Sequence, residues 1–241
     1  MSGFRKAFLV AALIGAGLML SQCGEPSATV RYRVIATAEV DGQRVEGSTV
    51  MEVNYQRVKH SLIGAGGATK LYGEALILDL KGRGTVFILP VEHQKKTVLA
   101  QIYEFGIPLT FGVRRSIGVM VDEDCARLRQ AKGRKPFSFA LIDVPTRLPA
   151  FVALRDEKMP NTIYEVDPQH IDSAFPGVRF ISLDIEITDA PVTKVLKQRL
   201  PWLVSSTELF DRDPPGKQRP YKDQPLGYKI TSDHFFGNGS R

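Results

Sequence analysis

Two cysteines, one tryptophan and four histidines among 241 residues leave this chain short of the side chains that carry most protein chemistry. A lone pair of cysteines, Cys23 and Cys125, excludes a disulfide framework, which needs several closed pairs. His60, His93, His170 and His234 never stand four apart, and none lies beside a cysteine with ligand spacing, so no zinc site is read. No Gly-x-Ser-x-Gly elbow occurs, and no order of Ser, His and Asp is favoured over another. Internal repeats and long heptads are missing too. The apolar run from Ala7 to Leu20 is too short to cross a bilayer core of about 30 Å comfortably. No catalytic residue, metal or cofactor is therefore assigned.

That short apolar run has another reading. Arg5 and Lys6 precede it, and Leu20-Ser21-Gln22-Cys23-Gly24 closes it. A basic start followed by an apolar run of about 7–15 residues reads as a secretory signal. Leu20, Ser21 and Cys23 resemble a bacterial lipobox, with Gln22 where a small residue is usual. The resemblance implies that residues 1–22 are removed and that Cys23 takes a diacylglycerol and becomes the mature N-terminus. Ordinary cleavage and an uncleaved anchor are the competing readings. One acyl chain holds a protein marginally and two or more hold it stably, so a triacylated Cys23 is a firm membrane tether. Gly24, in place of an aspartate, tilts the expected site to the outer membrane, facing the periplasm.

Without residues 1–22 the chain keeps 219 residues, enough for one sizeable core. Its net charge falls from +6 to +4, because Arg5 and Lys6 leave with the signal. Nucleic acid is a poor partner for such a chain, whereas anionic lipid or cell-wall polymer is compatible. Cys125 is then a lone thiol in an oxidising space and reads as a buried structural cysteine. A Cys23–Cys125 disulfide arises only without lipidation.

Residues 23–28 form a polar tether. Val30, Tyr32, Val34, Ala36, Ala38 and Val40 alternate with polar neighbours, Asp41-Gly42 signals a tight turn, and the alternation resumes through Tyr55. This predicts a hairpin over 29–40 and 44–58. Ser61 to Lys70 is glycine-rich and reads as a loop, not a phosphate loop, because Lys70 follows Thr69 and a strand comes next. A second hairpin, with a central strand apolar on both faces, is expected over Tyr72–Leu80 and Thr85–Leu89. Thr97–Phe105 is ambiguous between strand and helix. Val113–Val121 reads as a strand, and Asp122 to Lys132 as a helix closed by Gly133. Short strands follow at Phe137–Ile142, Phe151–Arg155 and Ile163–Val166, and Asp167-Pro168 opens a helical turn. Along Val178–Thr188, Ile181, Leu183, Ile185 and Ile187 are expected on one face and Ser182, Asp184, Glu186 and Thr188 on the other. Asp189-Ala190-Pro191 is expected to open a helix ended by Pro201. Residues 204–241, rich in proline and glycine, read as an extended tail pinned by Tyr228, Ile230, Phe235 and Phe236. The fold class is α+β, mostly β. A single domain over 29–203 is built of antiparallel hairpins in a curved sheet or sandwich with two or three short helices.

Gly73-Glu74-Ala75, Leu148-Pro149, Arg155-Asp156, Val166-Asp167-Pro168, Gly177-Val178-Arg179, Pro191-Val192-Thr193 and Arg199-Leu200-Pro201-Trp202-Leu203 together resemble a group of uncharacterised bacterial envelope proteins. The likeness runs from Gly73 to Leu203 and implies no activity. Apart from that likeness, Trp202, Arg155 and Asp156 are the chain's candidate ligand-binding residues, with Trp202 plugging the core as the plainer reading. Glu74 and Asp156 are expected to pair with Arg155 or Arg179. Asp184 and Glu186 could act as paired carboxylates, or simply as the polar face of a strand. The function expected is a membrane-tethered envelope lipoprotein that binds or assembles another envelope component, protein or polymer, without catalysis. The alternative is a hydrolase acting on envelope polymer or lipid.

Overall fold

Period-two alternation and an Asp-Gly turn build the spine of the molecule. In the structure, a computed structural model, residues 27–57, 67–92, 102–113, 122–138, 148–204, 220, 223–224 and 226–240 are described. Strands β1 (Ser27–Val40) and β2 (Gln43–Arg57) form one long antiparallel hairpin. Asp41 and Gly42 join them with φ of 49° and 81°, the two positive values that a two-residue hairpin turn demands. Strand β3 (Gly67–Tyr72) pairs with β2, β9 (Val178–Ile187) pairs with β1, and β6 (Arg134–Pro136) borders β9. The first sheet is thus β3-β2-β1-β9-β6. A second antiparallel sheet, β4-β5-β7-β8, holds β4 (Leu76–Asp79), β5 (Thr85–Glu92), β7 (Pro149–Leu154) and β8 (Ile163–Glu165).

The protein is α+β and mostly β, with two cores. Between the sheets, Tyr32, Val34, Met51 and Val53 meet Leu76, Leu78, Val86, Ile88 and Phe151. Helices α1 (Tyr103–Thr110) and α2 (Asp122–Gln130) add Tyr103, Ile107, Leu128 and the buried Cys125. On the other face of the second sheet, Phe87, Leu89 and Val152 meet Leu196, Leu200, Leu203, Leu226, Ile230 and Phe235. Every residue of β5 is buried because both of its faces are covered. Ile230 and Phe235 are fully buried in this second core, so the C-terminal segment supplies one of its walls.

Several expectations are corrected. Gly67–Lys70, read as loop, lies in β3, because pairing with β2 overrides the glycine-rich composition. Strand β4 is an edge strand, not a central one. Its two faces are apolar because Leu76 and Leu78 enter one core and Ile77 packs on the other. Its backbone also runs so close to β2 that a Cβ at Gly47 would collide with the Ile77 carbonyl oxygen. Along β9, Thr37 pairs with Ser182 and Ala38 with Phe180, so Ile181 is an extra residue in a bulge. Ile181 is therefore 41% exposed, while Phe180 turns inward to meet Phe151 edge-on at 5.1 Å. Of the strand expected at Phe137–Ile142, Phe137 and Ser138 lie outside any strand, just after β6 ends at Pro136, and 139–142 lie outside the described residues. No helix opens at Pro191. The Thr193 N–H donates to Val50 O and the Val50 N–H to Thr193 Oγ1, which holds that segment against β2. Helix α3 is only Leu196–Arg199. The strand expected at 114–121 lies outside the described residues.

Candidate functional site

The polar residues singled out in the sequence have structural partners. Asp184 is buried on the first sheet and accepts from Arg134 Nε at 3.1 Å, Arg134 Nη2 at 2.8 Å and Ser182 Oγ at 2.8 Å. The same guanidinium donates to Glu46 and Thr37. The Thr37 hydroxyl, then Arg134, hold the Glu46 carboxyl below its ordinary range against the opposing effect of burial. Glu186 pairs with Arg33 at 3.2 Å. These carboxylates belong to a charge lattice across neighbouring strands. His170 is exposed, and its hydrogen bond to Asp167 raises its pKa. His234 Nδ1 accepts from the Thr231 N–H in a capping box. His60 and His93 lie outside the described residues, as does Cys23. Among the described residues, no three His, Cys, Asp or Glu side chains gather as a metal site, and no helix is long and apolar enough to cross a membrane.

Trp202 is half-buried. Its Nε1 donates to the Glu157 carbonyl at 2.7 Å and its ring meets Phe235 edge-on at 6.1 Å, so it closes the second core. The Arg155 guanidinium lies over the Tyr164 ring at 5.7 Å. Asp156 Oδ1 accepts from the Lys158 N–H, which shapes the turn that carries Glu157. The structure thus brings Trp202 to the turn holding Arg155 and Asp156, and packing accounts for the contact. The ion pairs expected for Glu74 do not form: Arg179 pairs with Glu39, and Glu74 faces elsewhere.

Glu74 lines a groove of about 640 Å³ that the sequence did not reveal. Three distant stretches form it: Arg31, Glu52 and Tyr72 from the first sheet, Pro191 to Lys194 with Lys197, and Phe236 with Gly239 and Ser240. The last stretch is fixed as a strap along β3. The Gly237 N–H donates to Gly73 O and the Gly239 N–H to Leu71 O, while Asn238 Oδ1 and Ser240 Oγ accept from the N–H groups of Leu71 and Gly73. A Cβ at Gly237 would strike the Leu71 carbonyl. The strap thereby covers the sheet edge that would otherwise expose unpaired backbone groups.

Glu74 is only 4% exposed. Its Oε1 accepts from the N–H groups of Val195 and, at 2.9 Å, Leu196, where α3 begins. Burial pushes its carboxyl above the ordinary range, opposed by those N–H groups and by Lys197 and Lys194. Both of these hydrogen bonds fall on Oε1 and none on Oε2. Lys197 lies over the Phe236 ring at 5.3 Å. No single segment carries a signature of this groove, because its walls come from three stretches far apart in the chain. Comparison of the chain with family models, with curated proteins and with solved structures finds no match.

Proposed function

We propose that this chain is a lipid-tethered protein of the bacterial cell envelope, anchored through Cys23 at the outer membrane and facing the periplasm, that acts by binding another envelope component. The export and anchoring parts of this reading rest on Arg5, Lys6, the apolar run and Cys23. The observation that supports binding is the position of the groove. Arg31 lines it and stands eight residues after Cys23, a stretch that reaches at most roughly 28 Å. A tether there keeps the groove close to the membrane, where weak contacts gain from high effective concentration. The paired states of Asp184, Glu186 and His170 favour structural roles for those residues over catalytic ones.

The test is metabolic labelling with a fatty acid, followed by membrane fractionation. The natural chain is expected to take label and sediment with membranes. Cys23→Ala should take none, and should either appear in the soluble fraction or accumulate as precursor. Equal labelling and retention in both forms would mean that Cys23 is not the anchor.

A further inference from the structure

We propose that the groove holds an acidic oligosaccharide, the chemistry of cell-wall glycan fragments; this deepens the binding reading above and rests on it. The first observation is charge. Arg31 is paired with Glu52 at 2.6 Å, and Lys194 and Lys197, which form no ion pair among the described residues, outweigh the single remaining acid of the lining, Glu74. Both lysines line the groove, so it favours a ligand carrying carboxylates. The second is the inventory of hydrogen-bonding atoms. Glu74 Oε2 is an acceptor held in a carboxyl whose other oxygen is already engaged. Thr193 Oγ1 accepts from the Val50 N–H, which leaves its own O–H to donate. A ligand must therefore bring hydroxyl donors as well as anionic acceptors. Inorganic phosphate offers acceptors alone and leaves the Glu74 carboxylate without a donor, while an acidic sugar offers both; a lipid headgroup with glycerol hydroxyls also offers both, and the vesicle titration separates it from the sugar. The third is shape and wall chemistry. A groove of about 640 Å³ falls within the usual range for small-ligand sites, and Tyr72 and Phe236 add apolar surface to its lining beside Gly239 and Lys197.

The experiment uses the processed, lipidated protein in a detergent without a sugar headgroup. It is titrated calorimetrically with soluble glycan–peptide fragments released from peptidoglycan. Maltotriose, inorganic phosphate and phosphatidylglycerol vesicles are the comparison probes. Fragments are expected to bind, maltotriose and phosphate to bind far more weakly. The double change Lys194→Gln with Lys197→Gln, both on exposed side chains, should weaken fragment binding about tenfold, as two exposed charge pairs allow. Raised salt should weaken the natural protein and leave the double variant less affected. Glu74→Gln keeps an acceptor for the helix N–H groups and should also weaken fragments. Fragments that fail to bind, or that bind equally to the double variant, overturn the proposal. So does binding of phosphatidylglycerol vesicles alone, which would make the ligand a lipid. Cleavage of the fragments that vanishes in Glu74→Gln would replace binding with hydrolysis. Each of these failures leaves the anchoring reading standing, since fatty-acid labelling decides that separately.

Discussion

At the scale of single residues, Glu74 concentrates the most consequence. Its carboxyl satisfies two backbone N–H groups at the start of α3, where no side-chain cap comes from the helix itself. Glu74→Ala leaves both donors unpaired and should cost about 1–3 kcal/mol, measurable by denaturant unfolding. Glu74→Gln keeps the acceptor and should cost little at neutral pH. The pH dependence has a definite sign. Because the folded pKa is raised, the native state binds the proton more tightly than the unfolded chain. Glu74 therefore favours folding most below its ordinary carboxylate value, and that stabilisation is lost as pH rises to the raised folded value. The stability of the natural protein relative to Glu74→Gln should thus grow as pH falls from about 7 toward 4. A difference that is flat, or that shrinks on acidification, would contradict the burial argument. The sequence offered Glu74 as an ion-pair partner of Arg155 or Arg179. Its true partners are backbone groups 121 and 122 residues away, which no local pattern reports.

At the scale of elements, legibility follows how local the determinants are. The β1–β2 hairpin was readable because alternation and a turn with two positive φ values sit in one stretch. The β9 bulge was not, since Ile181 is displaced by its register with β1, a property of the pair and not of the strand. Thr193 was assigned to a helix because Pro191 suits a first turn, yet β2 claims its backbone. The C-terminal segment shows the largest gap between composition and role. Its prolines and glycines suggest an extended tail pinned at a few points, outside the domain over 29–203. Leu226, Ile230 and Phe235 are nevertheless buried against Phe87, Leu89 and Val152. Full burial of such side chains is worth about 1.5–3 kcal/mol each, and the strap also covers β3. Three of them amount to a large share of a typical net stability of 5–15 kcal/mol. Truncation after Leu203 is therefore expected to give a chain that unfolds at much lower denaturant or binds a hydrophobic dye. A truncated chain that unfolds at nearly the midpoint of the full protein would show that the second core closes without its tail.

At the scale of the whole molecule, the proposed tether and the groove are separable devices joined by a short stretch of chain. Among the described residues that line the groove, Arg31 comes first in the chain, and it is already committed to Glu52. The groove is held by the hydrogen bonds of the strap and the cap at α3, none of which involves the tether. Anchoring should therefore set where the protein works and its effective concentration, without changing the intrinsic affinity of the groove. A Cys23→Ala protein recovered in soluble form should bind glycan–peptide fragments with the same dissociation constant as the lipidated protein, while losing its enrichment at membranes. His170→Ala, remote from the groove lining, should change neither property. A Cys23→Ala protein whose affinity for fragments falls tenfold or more would show that the membrane or the acyl chains complete the binding site, and that anchoring and binding are one device.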